Sequence, residues 1–194
     1  MKGYDIKVRL NRFRPHTWRD MIVPANMTFE EFDDALKTIW GFDGSHSSCF
    51  LINGGPRQIM DKDFDMMGDV ENDSKTTSLD DVFSKNIKIT YWYDFGDDWK
   101  FDIEIKKMVE YDEEYITLKR FKGKYNPIED CGGVGSLMII IECSENPEYM
   151  EDDELIDYIE LVDEVTEFDM DYVQKRLKEK NYVINPFIGI KIKE

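Results

Sequence analysis

Two short segments of this chain concentrate side chains capable of chemistry. Asp94-Phe95-Gly96-Asp97-Asp98-Trp99 carries three carboxylates, and Glu129-Asp130-Cys131-Gly132-Gly133 sets two carboxylates and a thiol ahead of a glycine pair. Carboxylates forced together hold a divalent ion through their oxygens, or push one pKa up so that one acid donates a proton while its neighbour accepts one. His46 is one of two histidines, with His16, so any site that needs three imidazoles is excluded. If these segments share one cleft, His46, Asp94 and Asp97 are the candidate ligands and Glu129 or Asp130 the candidate general base, with Trp99 and Cys131 beside them. The plainer account of each segment alone is a turn, because Asp bonds to nearby backbone amides and Gly supplies positive φ.

Other constellations are weaker. Asp61, Asp63, Asp65, Asp69 and Glu71 suggest a calcium loop, but Met66 stands where that loop turns on glycine and Asn72 where it needs a bidentate glutamate. Gly132-Gly133-Val134-Gly135-Ser136 has neither the lysine nor the spacing of a nucleotide fingerprint. His46 and Cys49 are three residues apart, so on a strand they would face opposite sides and could share a metal only from a loop. Ser45, Ser47 and Ser48 flank His46 without a nucleophile motif. Cys49, Cys131 and Cys143 are odd in number and irregular in spacing, as expected of reduced thiols.

These groups need elements to position them. Ile6, Val8 and Leu10 alternate with Lys7 and Arg9, and Thr17 to Val23 return as a second strand after Arg14-Pro15-His16. Thr28 and Glu31 form a capping box for a helix over 28–40 that buries Phe29, Phe32, Leu36, Ile39 and Trp40 and stops at Gly41, and Cys49 to Ile52 read as a strand. This ββαβ order over residues 1–60 is β-grasp-like. Residues 61–82 read as an acidic excursion, closed by one turn of helix capped by Ser78 with Asp81. Over 83–135, Ile87, Ile89, Tyr91, Tyr93 and Phe95 alternate with polar neighbours, as do Trp99, Phe101, Ile103 and Ile105, so the aspartates between them sit on a β-hairpin tip. Tyr115 to Phe121 predict a further antiparallel strand. Over 136–194, Leu137 to Ile141 fit a strand or a buried helix, two amphipathic helices follow near Leu155–Val162 and Met170–Leu177, and Ile188, Ile190 and Ile192 suggest a closing strand. The expected fold is α+β, an antiparallel-rich mixed sheet in a single domain.

The 194 residues carry 42 Asp and Glu against 25 Lys and Arg, a net charge of −17. Fourteen of those carboxylates lie between Glu142 and Asp171, where there is no Lys or Arg. The segment reads as a solvated helical face or as a docking surface for a basic protein partner. Nucleic acid is disfavoured by the total charge, although Lys7, Arg9, Arg12, Arg14 and Arg19 offer a local basic set. No stretch approaches the roughly 18 to 20 apolar residues of a membrane span and the N-terminus lacks an apolar signal region, so the expected compartment is the cytoplasm.

Taken in order, Trp18-Arg19, Val23-Pro24, Gly41-Phe42, Ser45-His46 to Phe50, Tyr93 to Trp99, Glu129 to Gly133 and Phe168-Asp169 resemble the plasmid pRiA4b ORF-three-like family over nearly the whole chain. The resemblance implies an α+β fold, a plasmid and mobile-element association, and no assigned biochemical role. A transposon-resolvase label used for some members has no counterpart here, since there is no basic tail and no serine in an arginine-rich catalytic setting. Phe101 stands where many members have histidine, Phe42 replaces a common tryptophan, and Ser136 replaces a common aromatic. Three functions follow: a non-enzymatic binding or protein-interaction module, a metal-dependent hydrolase using the two acidic loops, and a nucleic-acid binder using the N-terminal arginines.

Overall fold

Tyr4, Ile6, Val8 and Leu10 all turn to one side of strand β1 (Lys2–Leu10) and are buried, whereas Lys7 and Arg9 face away, the period-two pattern that a half-buried strand requires. The computed structural model describes residues 1–55, 58–64, 70–85, 87–146, 148–149 and 155–182. Strand β2 (Trp18–Pro24) pairs antiparallel with β1 from Gly3↔Pro24 to Arg9↔Trp18. Helix α1 (Phe29–Trp40) starts where Thr28 Oγ1 accepts from Glu31 N at 3.2 Å and Glu31 Oε2 accepts from Thr28 N at 2.9 Å, a reciprocal cap. It ends at Gly41, whose φ of 81° lies in the left-handed region that glycine enters without penalty.

The sheet is completed by β3 (Ser48–Ile52), β4 (Gln58–Met60), β5 (Val70–Asp73), β6 (Ile89–Tyr93), β7 (Trp99–Glu110) and β8 (Thr117–Lys122). Its order is β5-β4-β3-β6-β7-β1-β2-β8, antiparallel throughout except for the parallel β4–β5 pair. The remaining helices are α2 (Leu79–Phe83), α3 (Gly133–Glu145), α4 (Ile156–Ile159) and α5 (Met170–Lys178). The inward face of β1 joins α1, α3 and α5 in one buried cluster, so these helices pack on that face. The other face of the central strands carries Asp5, Lys7, Asp20 and Lys106.

Several expectations are refined. The ββαβ order is present, yet β3 does not lie beside β1: the β6–β7 hairpin stands between them, because its strands are apolar enough to fill the sheet's centre. The stretch 61–82 is not a bare excursion: β5 lies within it at the sheet's edge, pairs parallel with β4, and is too short to show periodicity. Ser78 and Asp81 do cap α2. The ambiguous run at Leu137 to Ile141 is helical: Leu137, Ile140 and Cys143 share the buried face of α3 while Met138 is exposed. Of the acidic helices, the first is only the single turn of α4 followed by a 3₁₀ turn at Val162–Glu164. The closing strand at Ile188 to Ile192 lies outside the described residues.

Arg19 is fully buried, not part of an exposed basic set. Its guanidinium sits 3.8 Å from the Phe168 ring centroid and 4.7 Å from that of Trp40, and it donates to the Lys122 carbonyl at 3.0 Å. Burial without a carboxylate lowers its pKa to about 9. This stacked cation ties β2 to the segment before α5.

Candidate functional site

Three loops meet at one end of the sheet: the stretch from Phe42 to Ser47 that enters β3, the β6–β7 hairpin tip at Asp94 to Asp98, and the loop from Asn126 to Gly132 that enters α3. Register brings the first two together, since Ser48 pairs with Tyr93 and Asp94 N donates to the Ser47 carbonyl at 3.0 Å. The third is locked to the hairpin by Asp97, whose Oδ2 accepts from Gly132 N at 3.1 Å. Gly132 and Gly133, with φ of 87° and 80°, make the turn. A Cβ on Gly133 would stand 2.3 Å from the Asp97 carbonyl oxygen, so only glycine permits this approach.

The convergence brings His46, Asp94 and Glu129 together, with one donor atom from each lying within 4.8 Å of the others. His46 Nδ1 is 3.7 Å from Asp94 Oδ1, and Nε2 is 3.1 Å from Asp130 Oδ1. A carboxylate on the far nitrogen fixes the orientation of an imidazole that offers its other nitrogen to a metal. Asp94 adopts a left-handed backbone with φ of 50°, is nearly buried, and accepts from Gly96 N at 2.9 Å. Glu129 is held at Oε1 by the Tyr93 hydroxyl and by Asp43 N, each at 2.8 Å. Its Oε2 is buried with no hydrogen-bond partner.

Burial pushes the Glu129 carboxyl up to about 7, against the lowering effect of hydrogen bonds from Asp43 N and Tyr93. Burial works in the same direction on Asp43, but bonds involving Ser45 and Glu129 and the nearby His46 more than offset it and hold Asp43 low. The two carboxylates thus differ in proton affinity, as neighbouring acids must when both cannot ionise cheaply.

The other residues singled out in the sequence have different placements. Asp97 is taken up by the Gly132 amide, so its oxygen fastens the loops instead of joining His46. Trp99 is fully buried in the core, with its ring 6.0 Å from that of Phe42. Cys131 is buried, its Sγ 3.7 Å from the Gly133 carbonyl oxygen, and burial raises its thiol to about 11, which leaves it unreactive at neutral pH. Phe101 packs against Trp40 with ring centroids 4.6 Å apart, on the core side of β7. Between Asp61 and Asp63 lies Lys75, 2.9 and 2.7 Å from their carboxylates, so a lysine already neutralises what reads as a calcium loop; Asp65 and Asp69 lie outside the described residues.

Two residues of the cleft, Tyr93 and Asp43, are not among the site candidates that the sequence offers. Tyr93 is hidden because it obeys the core alternation of β6, although its hydroxyl reaches Glu129. Asp43 had a signal: Asp43-Gly44-Ser45 is a turn sequence immediately before His46, and Asp43 Oδ1 accepts from Ser45 N at 2.7 Å.

Residues 2–176 match the family described as Plasmid pRiA4b ORF-3-like protein. An uncharacterized protein, y4hQ of Sinorhizobium fredii, is 28% identical over 106 residues, which is 53% of this chain and 52% of that protein. The chain therefore spans about half the length of this curated relative. A crystal structure of a protein of unknown function, MM3350 from Methanosarcina mazei Go1, superposes with a TM-score of 0.67 at 27% identity, covering 78% of this chain and 86% of that one.

Proposed function

The chain belongs to the plasmid pRiA4b ORF-3-like protein family, and from that premise we propose that its cleft is a divalent transition-metal site with His46, Asp94 and Glu129 as ligands. The observation that carries this reading is the convergence of one imidazole and two carboxylates from three separate loops, with a buried Glu129 Oε2 that no N–H or hydroxyl group donates to. An unsatisfied buried carboxylate oxygen is costly, and a cation in front of it removes the cost. One nitrogen and two oxygen donors suit zinc, manganese or iron(II) better than calcium, which prefers six to eight oxygens. Three protein ligands leave positions for water, the arrangement of metal-assisted hydrolysis. Asp130 then orients His46, while Tyr93 and the Asp43 amide hold Glu129 in place.

Calorimetric titration of the chelator-treated full chain with Zn²⁺ and Mn²⁺ tests this. One ion per chain is expected, with His46→Ala, Asp94→Asn and Glu129→Gln each weakening affinity by about tenfold or more, or about 1.4 kcal/mol. No stoichiometric binding, or binding that all three variants retain, overturns the reading.

A second reading concerns residues 142–171 as a surface for a basic protein. Its support is that Asp157, Glu160, Asp163 and Glu164 form no ion pair among the described residues, while Ile156 beside them is 57% exposed. Neutral replacements at these four carboxylates abolish capture of a basic partner without lowering Tm if this reading holds.

A further inference from the structure

In a chain with 42 acidic against 25 basic side chains, several cations still have no carboxylate partner among the described residues. Three of them, Arg12, Arg14 and Lys122, lie on the β1–β2 connection and the end of β8, and none forms an ion pair among the described residues. They adjoin one rung of the sheet, where Asp102, Arg9, Trp18 and Lys122 are successive partners across β7, β1, β2 and β8. Lys7 lies 4.5 Å from the Trp18 ring centroid. Together Lys7, Arg9, His16, Trp18 and Lys122 line a cavity of about 240 Å³, with Asp102 and Glu104 as its two carboxylates. Asp102 is already paired to Arg9 at 3.1 Å.

His16 registers the local field. Arg14 above all, then partial desolvation, Arg9 and Lys122, hold its imidazole below the ordinary pKa, and Arg14 Nη1 donates to its Nδ1 at 2.6 Å. Three cations, Lys7, Arg9 and Lys122, face two carboxylates in the cavity, so the local charge is positive although the molecule is strongly negative.

We infer that this cavity binds a phosphate group, carried on Arg9 and Lys122 of its lining and on Arg14, which contacts the lining His16, with His16 as a further donor. Guanidinium forks and an ammonium match phosphate oxygens in geometry and charge, and a phosphate dianion neutralises more of the cluster than a single carboxylate does. The acidic remainder of the chain restricts the ligand to a small phosphate ester or a single strand, since a long duplex would run onto carboxylates. This site is separate from the metal cleft: its residues belong to the outer sheet face, and it does not depend on the ion.

The test is a titration of the full chain at low salt with adenosine monophosphate and with a single-stranded oligothymidylate of about eight nucleotides, within the usual span of single-strand sites. The readout is the ring resonances of His16, assigned by His16→Gln. A saturable shift is expected, weakened at least tenfold in the Arg14→Gln/Lys122→Gln double variant and unchanged in His46→Ala, which separates this inference from the metal reading. Saturation by the mononucleotide assigns the site to phosphomonoesters, and saturation by the oligonucleotide alone assigns it to a phosphodiester chain. Absence of a saturable shift with both probes, or full affinity in the double variant, overturns the inference.

Discussion

At the scale of the residue, the cleft depends on where backbone can come close to backbone. Gly133 sets this limit, because its positive φ and the 2.3 Å separation from the Asp97 carbonyl oxygen exclude any Cβ. Gly133→Ala is expected to cost about 2–4 kcal/mol, combining left-handed strain with a backbone clash. The same change moves the Glu129 loop away from the hairpin tip, so denaturant unfolding and metal titration should both report a loss. Parental values in either measurement contradict this account. His46, Asp94 and Glu129 were legible as residue types with metal-binding chemistry, and their loops as turns. That Glu129 stands where Asp97 was expected was not legible, because the choice depends on which carboxylate the Gly132 amide engages.

At the scale of the element, the most secure readings were those in which local and tertiary signals agree. Helix α1 has a reciprocal cap at Thr28 and Glu31, a glycine stop, and an apolar stripe. It is then pinned to the sheet by Asp33, which accepts from Tyr91 Oη at 2.7 Å and Ser48 Oγ at 2.8 Å and pairs with Lys37 at 2.7 Å. Thr28→Ala removes only the cap, so a loss of about 1 kcal/mol is expected. In a domain of this size that corresponds to a fall in Tm of roughly 2–4 °C, measurable by calorimetry. An unchanged Tm would mean that tertiary packing alone holds the helix start. Strands β4 and β5 lacked such agreement: they are only three and four residues long, and β5, at the sheet's edge, has one neighbour instead of two. The edge at β8 is treated differently, with the Gln174 side chain accepting from Leu118 N at 2.7 Å and donating to the Ile116 carbonyl at 3.0 Å. A side-chain amide thus occupies strand groups that another chain could otherwise pair with.

At the scale of the whole molecule, charge is sorted by location. The outer sheet face carries a network around Asp20, whose carboxylate is buried and receives Lys106 at 2.7 Å and Arg120 at 2.6 Å, with Lys7 at 3.9 Å. Burial alone would raise the Asp20 pKa, but the bonds from Lys106 and Arg120 and the charges of Lys106 and Lys7 outweigh it, so the folded pKa lies below the ordinary value. A depressed carboxylate pKa stabilises the fold fully above its unfolded value, near pH ~4, and that contribution disappears as pH falls through the folded pKa. Asp20→Asn is expected to lose on the order of 2–3 kcal/mol at pH 7, because three cations lose their shared counter-charge. The variant and the parent should converge as the pH is lowered below about 4. A difference in unfolding free energy that stays constant between pH 7 and strongly acidic pH would contradict the network.

Alternation, capping and turn chemistry are local and survive without knowledge of neighbours, so the α+β class, the caps of α1 and α2, the hairpin with its aspartate tip, and the family are all legible from the residues alone. The packed fold was needed to place the hairpin between β1 and β3, to bury Arg19 against Trp40 and Phe168, and to bring His46, Asp94 and Glu129 together without Asp97, Trp99 and Cys131. These outcomes depend on strand order and on a glycine-permitted contact between residues far apart in the chain, and such long-range pairing leaves no periodic trace in the sequence.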